Sequence, residues 1–245
     1  MINDPESGAT SEPLISSSDG NDDGNNSSNT EDGRTKKDIA TFIVSLFMTI
    51  GSALLLGVFW PKYSYSFDWI SRKDPDLVEV LLITGALLIL IGYFIEDFIL
   101  YPEGVSSSFA DNDDESSYHR RCCDTIGLQG SVTFFVAMIC LASGTSGPRN
   151  DLAISVLLIL SGIAFGWHHH TKLYVIYKKE KSIIAIGMIA CILHGLSAVL
   201  LLSSGVVVFT TTHYLFKTLM FVAILMKVIG SFLESIDFLK KCRRG

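Results

Sequence analysis

From residue 38 onward the chain is a succession of long apolar runs separated by polar segments. The runs fall at roughly 38–60, 77–101, 129–147, 152–177, 182–204 and 214–239. A helix rises about 1.5 Å per residue, so about 20 mostly apolar residues cross the roughly 30 Å of bilayer hydrocarbon. The third run, Gly130 to Gly144, is the shortest and carries no charge. In the fourth, Trp167-His168-His169-His170 interrupts the apolar pattern before Leu173-Tyr174-Val175-Ile176-Tyr177 resumes it, and we read the whole as one helix. The pattern predicts an all-α fold: a polytopic membrane helix bundle of about six transmembrane helices over residues 38–239.

The polar segments complete the organisation. Residues 1–37 are rich in Ser, Asn, Asp and Gly with almost no aliphatic side chains, too few to offset the entropy of ordering. They are expected to form a disordered acidic tail. No apolar run lies within the first 30 residues, so no cleavable signal peptide is expected and the first helix is read as a signal anchor. The formal charge of −6 follows from two segments, residues 1–33 with eight acids and 102–128 with six, and so does not define a single acidic surface.

Lys and Arg near the ends of the runs set the orientation. With the N-terminus in the cytosol, the inner segments hold 13: Arg34, Lys36, Lys37, Arg120, Arg121, Lys172, Lys178, Lys179, Lys181, Lys240, Lys241, Arg243 and Arg244. The outer segments hold five: Lys62, Arg72, Lys73, Arg149 and Lys217. Both termini are therefore expected in the cytosol, including the basic segment 240–245, with 102–128 as an acidic inner loop. The sequons at Asn25 and Asn26 would face the cytosol, and the outer loops contain neither sequon nor cysteine. Trp60, Tyr63, Tyr65, Phe67 and Trp69 fit an aromatic belt in the first outer loop. The protein is expected in the plasma membrane or an endomembrane.

Ionisable groups inside the apolar runs are the first place to look for function, because an intramembrane charge costs several kcal/mol unless paired or hydrated. Glu96 and Asp97 lie about one turn from the inner end of the second run, and Glu234 and Asp237 about one turn from that of the sixth. Lys227 and His194 lie deeper, each about 18 Å from the inner end. Lys227, Ser231 and Glu234 follow i, i+4, i+7 spacing and share one helix face. That face can line a cytosol-facing polar pathway, or Lys227 can pair with an acid such as Glu96 and lock two helices together.

The remaining candidates are local. His168, His169 and His170 can meet His194 if the fourth and fifth helices are neighbours, since imidazole pairs across a bundle can hold a metal or haem. An electron-transfer bundle needs two ligand pairs and the sequence offers one, so no metal and no cofactor is expected. Cys122, Cys123 and Cys242 stand beside basic residues at the inner face, a context for S-palmitoylation. In the tail, Glu12-Pro13-Leu14-Ile15 is similar to acidic dileucine sorting signals but has Thr10 where an acid is usual. Ser16 and Ser28 each precede an acid by three residues, as in acidophilic kinase sites.

Small residues recur at helical spacing: Ala53 and Gly57, Gly162 and Gly166, Gly187 and Gly195, Gly230 and Ser231. Gly162-x-x-x-Gly166 predicts a close crossing inside the bundle. Ile50-Gly51-Ser52-Ala53-Leu54-Leu55-Leu56 before Trp60-Pro61, with Leu82-Ile83-Thr84-Gly85-Ala86-Leu87-Leu88, resembles the paired Gly-Ser-centred helices of YrhK-like hairpin domains. Ile229-Gly230-Ser231-Phe232-Leu233 is similar again, while Gly85-Ala86 departs from Gly-Ser. The resemblance implies an architecture of three hairpins and no activity.

No phosphate-binding loop, metal-ligand framework, nucleophile elbow or nucleic-acid patch is present in the sequence. The chain is expected not to be an enzyme and not to bind nucleic acid. The first functional expectation is a noncatalytic membrane protein that organises lipids or cytosolic partners through the tail and the 102–128 loop. The alternative is a small transporter or channel lined by Lys227, Glu234, Glu96, Asp97 and His194.

Overall fold

The computed structural model describes the backbone of residues 27–59, 75–98, 115–143, 148–180, 186–208 and 213–242, with side chains for 39–59, 76–98, 125–143, 149–174, 176–177, 186–208 and 215–240. Six helices make up this part: α1 (Ser27–Phe59), α2 (Pro75–Phe98), α3 (Glu115–Ala142), α4 (Pro148–Glu180), α5 (Ile186–Val207) and α6 (His213–Cys242). Each contains a stretch long and apolar enough to cross a membrane, from 18 residues in α3 to 26 in α4 and α6. The fold is therefore the all-α bundle of six membrane-spanning helices that the hydrophobic pattern predicts. The chain divides into two compact units, Met1–Thr35 and Lys36–Gly245. Of the first, only the helical backbone of residues 27–35 is described.

Helix ends depart from the apolar runs where the backbone continues past the hydrophobic stretch. α1 begins at Ser27, inside the segment expected to be disordered, and residues 1–26 lie outside the described residues. α3 begins at Glu115, so the second half of the expected 102–128 loop is helical, and its first half lies outside the described residues. Once an apolar segment has nucleated a helix, adding residues to its end costs little. Pro75 and Pro148 open α2 and α4 at the position where the missing N–H is least needed. α4 runs unbroken through His168, His169 and His170. The aromatic segment Trp60–Trp69, the dileucine-like tail motif and the side chains of Ser28, Cys122, Cys123 and Cys242 lie outside the described residues.

Within Lys36–Gly245, sequential helices pack antiparallel and α1 closes the ring against α6. Phe42 meets Phe238 with ring centroids 5.6 Å apart, Ser235 Oγ donates to Ser45 Oγ at 2.9 Å, and Phe59 meets Phe216 at 6.3 Å. Small residues set the closest crossings. A Cβ at Gly51 would lie 2.6 Å from the Gly85 carbonyl oxygen, so α1 and α2 touch backbone to backbone. A Cβ at Gly162 would lie 2.8–2.9 Å from Leu202 and the Ala198 carbonyl, placing the predicted crossing between α4 and α5, whereas one at Gly166 would meet only Ala198, at 3.9 Å. Buried serines add interhelical bonds: Ser161 Oγ donates to the Gly130 carbonyl at 2.9 Å and Ser155 Oγ to the Gly205 carbonyl at 2.6 Å.

The even-numbered helices α2, α4 and α6 run parallel and meet at the centre, where Tyr93 stacks on Phe165 at 5.2 Å and Lys227 lies over Phe165 at 4.4 Å. The core they share is divided along the bundle. The half holding the α2 C-terminus is polar. The other half is filled by Leu55, Phe59, Leu82, Met138, Ile154, Leu158 and Met220, all buried. Side chains such as Phe94, Trp167, Val199 and Phe232 are exposed on the outer surface, as expected of a bundle solvated by lipid.

Candidate functional site

The polar half of the core is one network drawn from α2, α4, α5 and α6. At its more accessible end, Lys172 Nζ lies 3.1 Å from Glu96 Oε1 and 3.6 Å from Glu234 Oε1. About a third of the Lys172 side chain and a quarter of Glu234 remain exposed, whereas Glu96 is almost wholly covered. One ammonium thus bridges two carboxylates from different helices. Such a bridge offsets part of the desolvation of all three charges and fixes α2, α4 and α6 relative to one another.

Deeper in the bundle the groups become imidazole and phenol. His194 Nε2 lies 3.7 Å from Glu234 Oε2, an electrostatic contact too long for a hydrogen bond. The His194 ring stacks on His169 with centroids 4.7 Å apart and planes 17° from parallel. His169 Nε2 is 3.3 Å from the Tyr93 hydroxyl, which is 3.4 Å from Lys227 Nζ. An ammonium only donates, so Lys227 donates to the Tyr93 oxygen, and the Tyr93 hydroxyl hydrogen is left to donate to His169. Edge-on contacts of His168 with Tyr93 and His169 close the cluster.

Lys227 ends the network. It is buried over the faces of Phe165 and Tyr93, where ring quadrupoles attract the cation. No described carboxylate lies within 4.0 Å of its ammonium. The expected pair between Lys227 and Glu96 is replaced by the pair of Glu96 with Lys172. The reason is register: Tyr93 and His169 are 76 residues apart and so are Glu96 and Lys172. Parallel α2 and α4 therefore bring Lys172, not Lys227, to the level of Glu96.

Backbone space makes the ring positions possible. A Cβ on Gly230 would lie 2.9 Å from the His194 ring, and one on Gly127 would lie 2.7 Å from His168 Nδ1. These two glycines let imidazoles lie against the α6 and α3 backbones. A cavity of about 20 Å³ adjoins Lys227 and His194, lined also by Ser197, Phe134, Phe165 and Leu201. Buried Nδ1 atoms of His169 and His194 and the hydroxyls of Ser52 and Ser231 have no hydrogen-bond partner among the described residues. Such atoms are uncommon in a folded interior and each costs about 1–3 kcal/mol.

Of the residues singled out in the sequence, Lys227, Glu234, Glu96 and His194 join one cluster. Asp97 is half-buried beside Glu96 and contributes neither of the bridges to Lys172. Sequence reasoning missed Lys172, which had been counted among the flanking cations that set topology, and also missed Tyr93 and the role of His169. The shared i, i+3 spacing of Tyr93-x-x-Glu96 and His169-x-x-Lys172 is the signal that could have found them. Two stacked rings do not converge on one metal, and among the described residues no three His, Cys, Asp or Glu side chains gather in a metal-binding arrangement. No protein-family model, curated protein or solved structure matches the chain, so its functional reading rests on the geometry of this network.

Proposed function

We propose that this multi-pass membrane protein is a small proton-handling transport protein whose intramembrane relay opens toward the cytosol. The observation that carries this reading is the string from partly exposed Lys172 and Glu234, through His194, His169 and Tyr93, to buried Lys227. A structural lock made of two acids and two lysines could close as two ion pairs. Here one lysine serves both acids, and the second sits among aromatic rings with unsatisfied imidazole nitrogens nearby. Groups that are costly to bury and incompletely paired are the mark of intramembrane proton sites.

The cavity beside Lys227 is too small for an organic solute, and the ammonium on its wall disfavours a metal cation, which supports protons as the proposed cargo. On this reading the apolar half of the core closes the relay on one side, and the conformation is a one-sided, occluded state. The proposed cytosolic location of both termini rests on the Lys and Arg distribution. The proposed role involves no catalytic step, metal or cofactor. The likeness to YrhK-like hairpins is retained as a proposal about architecture, supported by the Gly51–Gly85 contact.

The test is proton flux in proteoliposomes carrying a pH-sensitive dye in the lumen. Wild-type protein should dissipate an imposed pH gradient, and Lys227→Leu or Glu234→Leu should reduce the rate at least tenfold while inserting normally. A second reading, a noncatalytic protein that organises lipids or cytosolic partners, is favoured by the Lys172 bridge, which holds three helices together. Wild-type protein that inserts but moves no protons under any imposed gradient would decide for this second reading.

A further inference from the structure

We propose that the cavity between Lys227 and His194 is a binding site for a single water molecule, which joins these two side chains and gives the relay a second branch. This inference rests on the proton-relay reading and specifies how its deepest step is made. The cavity of about 20 Å³ exceeds the roughly 10–15 Å³ that one water requires and leaves no room for a cluster.

The chemistry of the lining selects the occupant. Lys227 offers N–H donors only. His194 turns Nε2 toward the Glu234 carboxylate at 3.7 Å, which favours the tautomer with its hydrogen on Nε2 and a lone pair on Nδ1. That Nδ1 is buried and has no protein partner among the described residues. Ser197 adds a hydroxyl that can donate or accept. A water accepts from Lys227 and donates to His194. A small anion would meet the imidazole lone pair, and a cation would meet the lysine ammonium. An apolar molecule would leave both groups unsatisfied.

The consequence is connectivity. Through the protein alone, Lys227 connects onward by Tyr93 and His169. Through water it connects directly to His194 and from there to Glu234. Both branches converge on His194: the first crosses from His169 by a ring stack that carries no hydrogen bond, so the water supplies the hydrogen-bonded route. The lining Phe134, Phe165, Leu201 and Ile224 separates the water from the apolar half of the core.

Solid-state nuclear magnetic resonance of the full chain in bilayers, with nitrogen-15 in its histidines and lysines, tests the site without measuring transport. In wild-type protein, water-edited spectra should show magnetisation transfer to the Lys227 Nζ, and the His194 Nδ1 signal should stand at the position of a hydrogen-bonded pyridine-type nitrogen. Ala223→Val places two methyl groups at a cavity-lining position and should abolish both signatures, leaving the His169 Nδ1 signal unchanged. Ala198→Val, also at the cavity wall, is the second variant if Ala223→Val does not fold. A His194 Nδ1 signal typical of a free lone pair, with no water transfer to Lys227 in wild-type protein, overturns the proposal. Both signatures in a protein without proton flux keep the water site and overturn the transport reading, and flux without them does the reverse.

Discussion

Lys172 Nζ stands 3.1 Å from Glu96 Oε1 across the interface of two parallel helices, with the same sequence separation that joins His169 to Tyr93. The pair is therefore a rung in the register of α2 and α4. Glu234 on α6 extends that rung to a third helix through the same ammonium. The membrane bundle is fixed at this level by charge and at its other end by apolar packing.

Removing the shared cation should be costly. Lys172→Met leaves Glu96 and Glu234 facing each other without a counter-charge, and should destabilise the protein by about 3 kcal/mol, the low end for breaking a buried pair because a third of Lys172 is exposed. Combining it with Glu96→Gln should recover part of that loss. Thermal unfolding in detergent micelles reads both, and equal stability of Lys172→Met and wild type would show that the bridge contributes nothing.

Tyr93 should separate stability from conduction. Tyr93→Phe keeps the ring stacked on Phe165 and removes only the hydroxyl between Lys227 and His169. The expected cost is about 1 kcal/mol in unfolding. Proton flux should fall several-fold without vanishing, because the water branch remains. Flux equal to wild type would remove Tyr93 from the relay.

Close backbone contact should make one glycine irreplaceable and leave another tolerant. At Gly51 the nearest obstacle is the Gly85 carbonyl, a backbone atom that cannot rotate away, so Gly51→Leu should force α1 from α2 and cost about 1–3 kcal/mol. Gly195 has nothing within 4 Å of its would-be Cβ, and Gly195→Ala should leave stability unchanged or slightly raised by better helix propensity. Thermal unfolding of the two variants side by side tests the contrast, and equal effects would contradict it.

Topology has its own measurement. Epitope tags before residue 27 and within residues 60–74 should report opposite sides in sealed inside-in vesicles, the first protected from added protease and the second cleaved. Cleavage of the N-terminal tag in intact vesicles would reverse the orientation and with it the side from which the relay is reached.

How far the site could be read in advance depended on the range of the interaction. The facing of Lys227, Ser231 and Glu234 follows from 3.6 residues per turn, and the structure keeps Lys227 and Ser231 buried and Glu234 partly covered on α6. The partner of Glu96 was not legible, because two lysines within the apolar runs are chemically equivalent until the register of α2, α4 and α6 is fixed. Gly127 and Gly230 were equally opaque: their importance lies in imidazoles supplied by other helices.

The sequence by itself determined six apolar membrane-spanning helices and the concentration of ionisable groups toward one end of the bundle, because hydrophobic length and charge burial act residue by residue along a chain. Tertiary structure alone decided that Lys172 bridges two acids, that Lys227 rests on aromatic rings beside a water-sized cavity, and that two imidazoles stack between them. Those outcomes depend on which helices are neighbours and at what register, and lipid, being as apolar as the helix faces, leaves that choice to the fit of small residues and polar groups between helices.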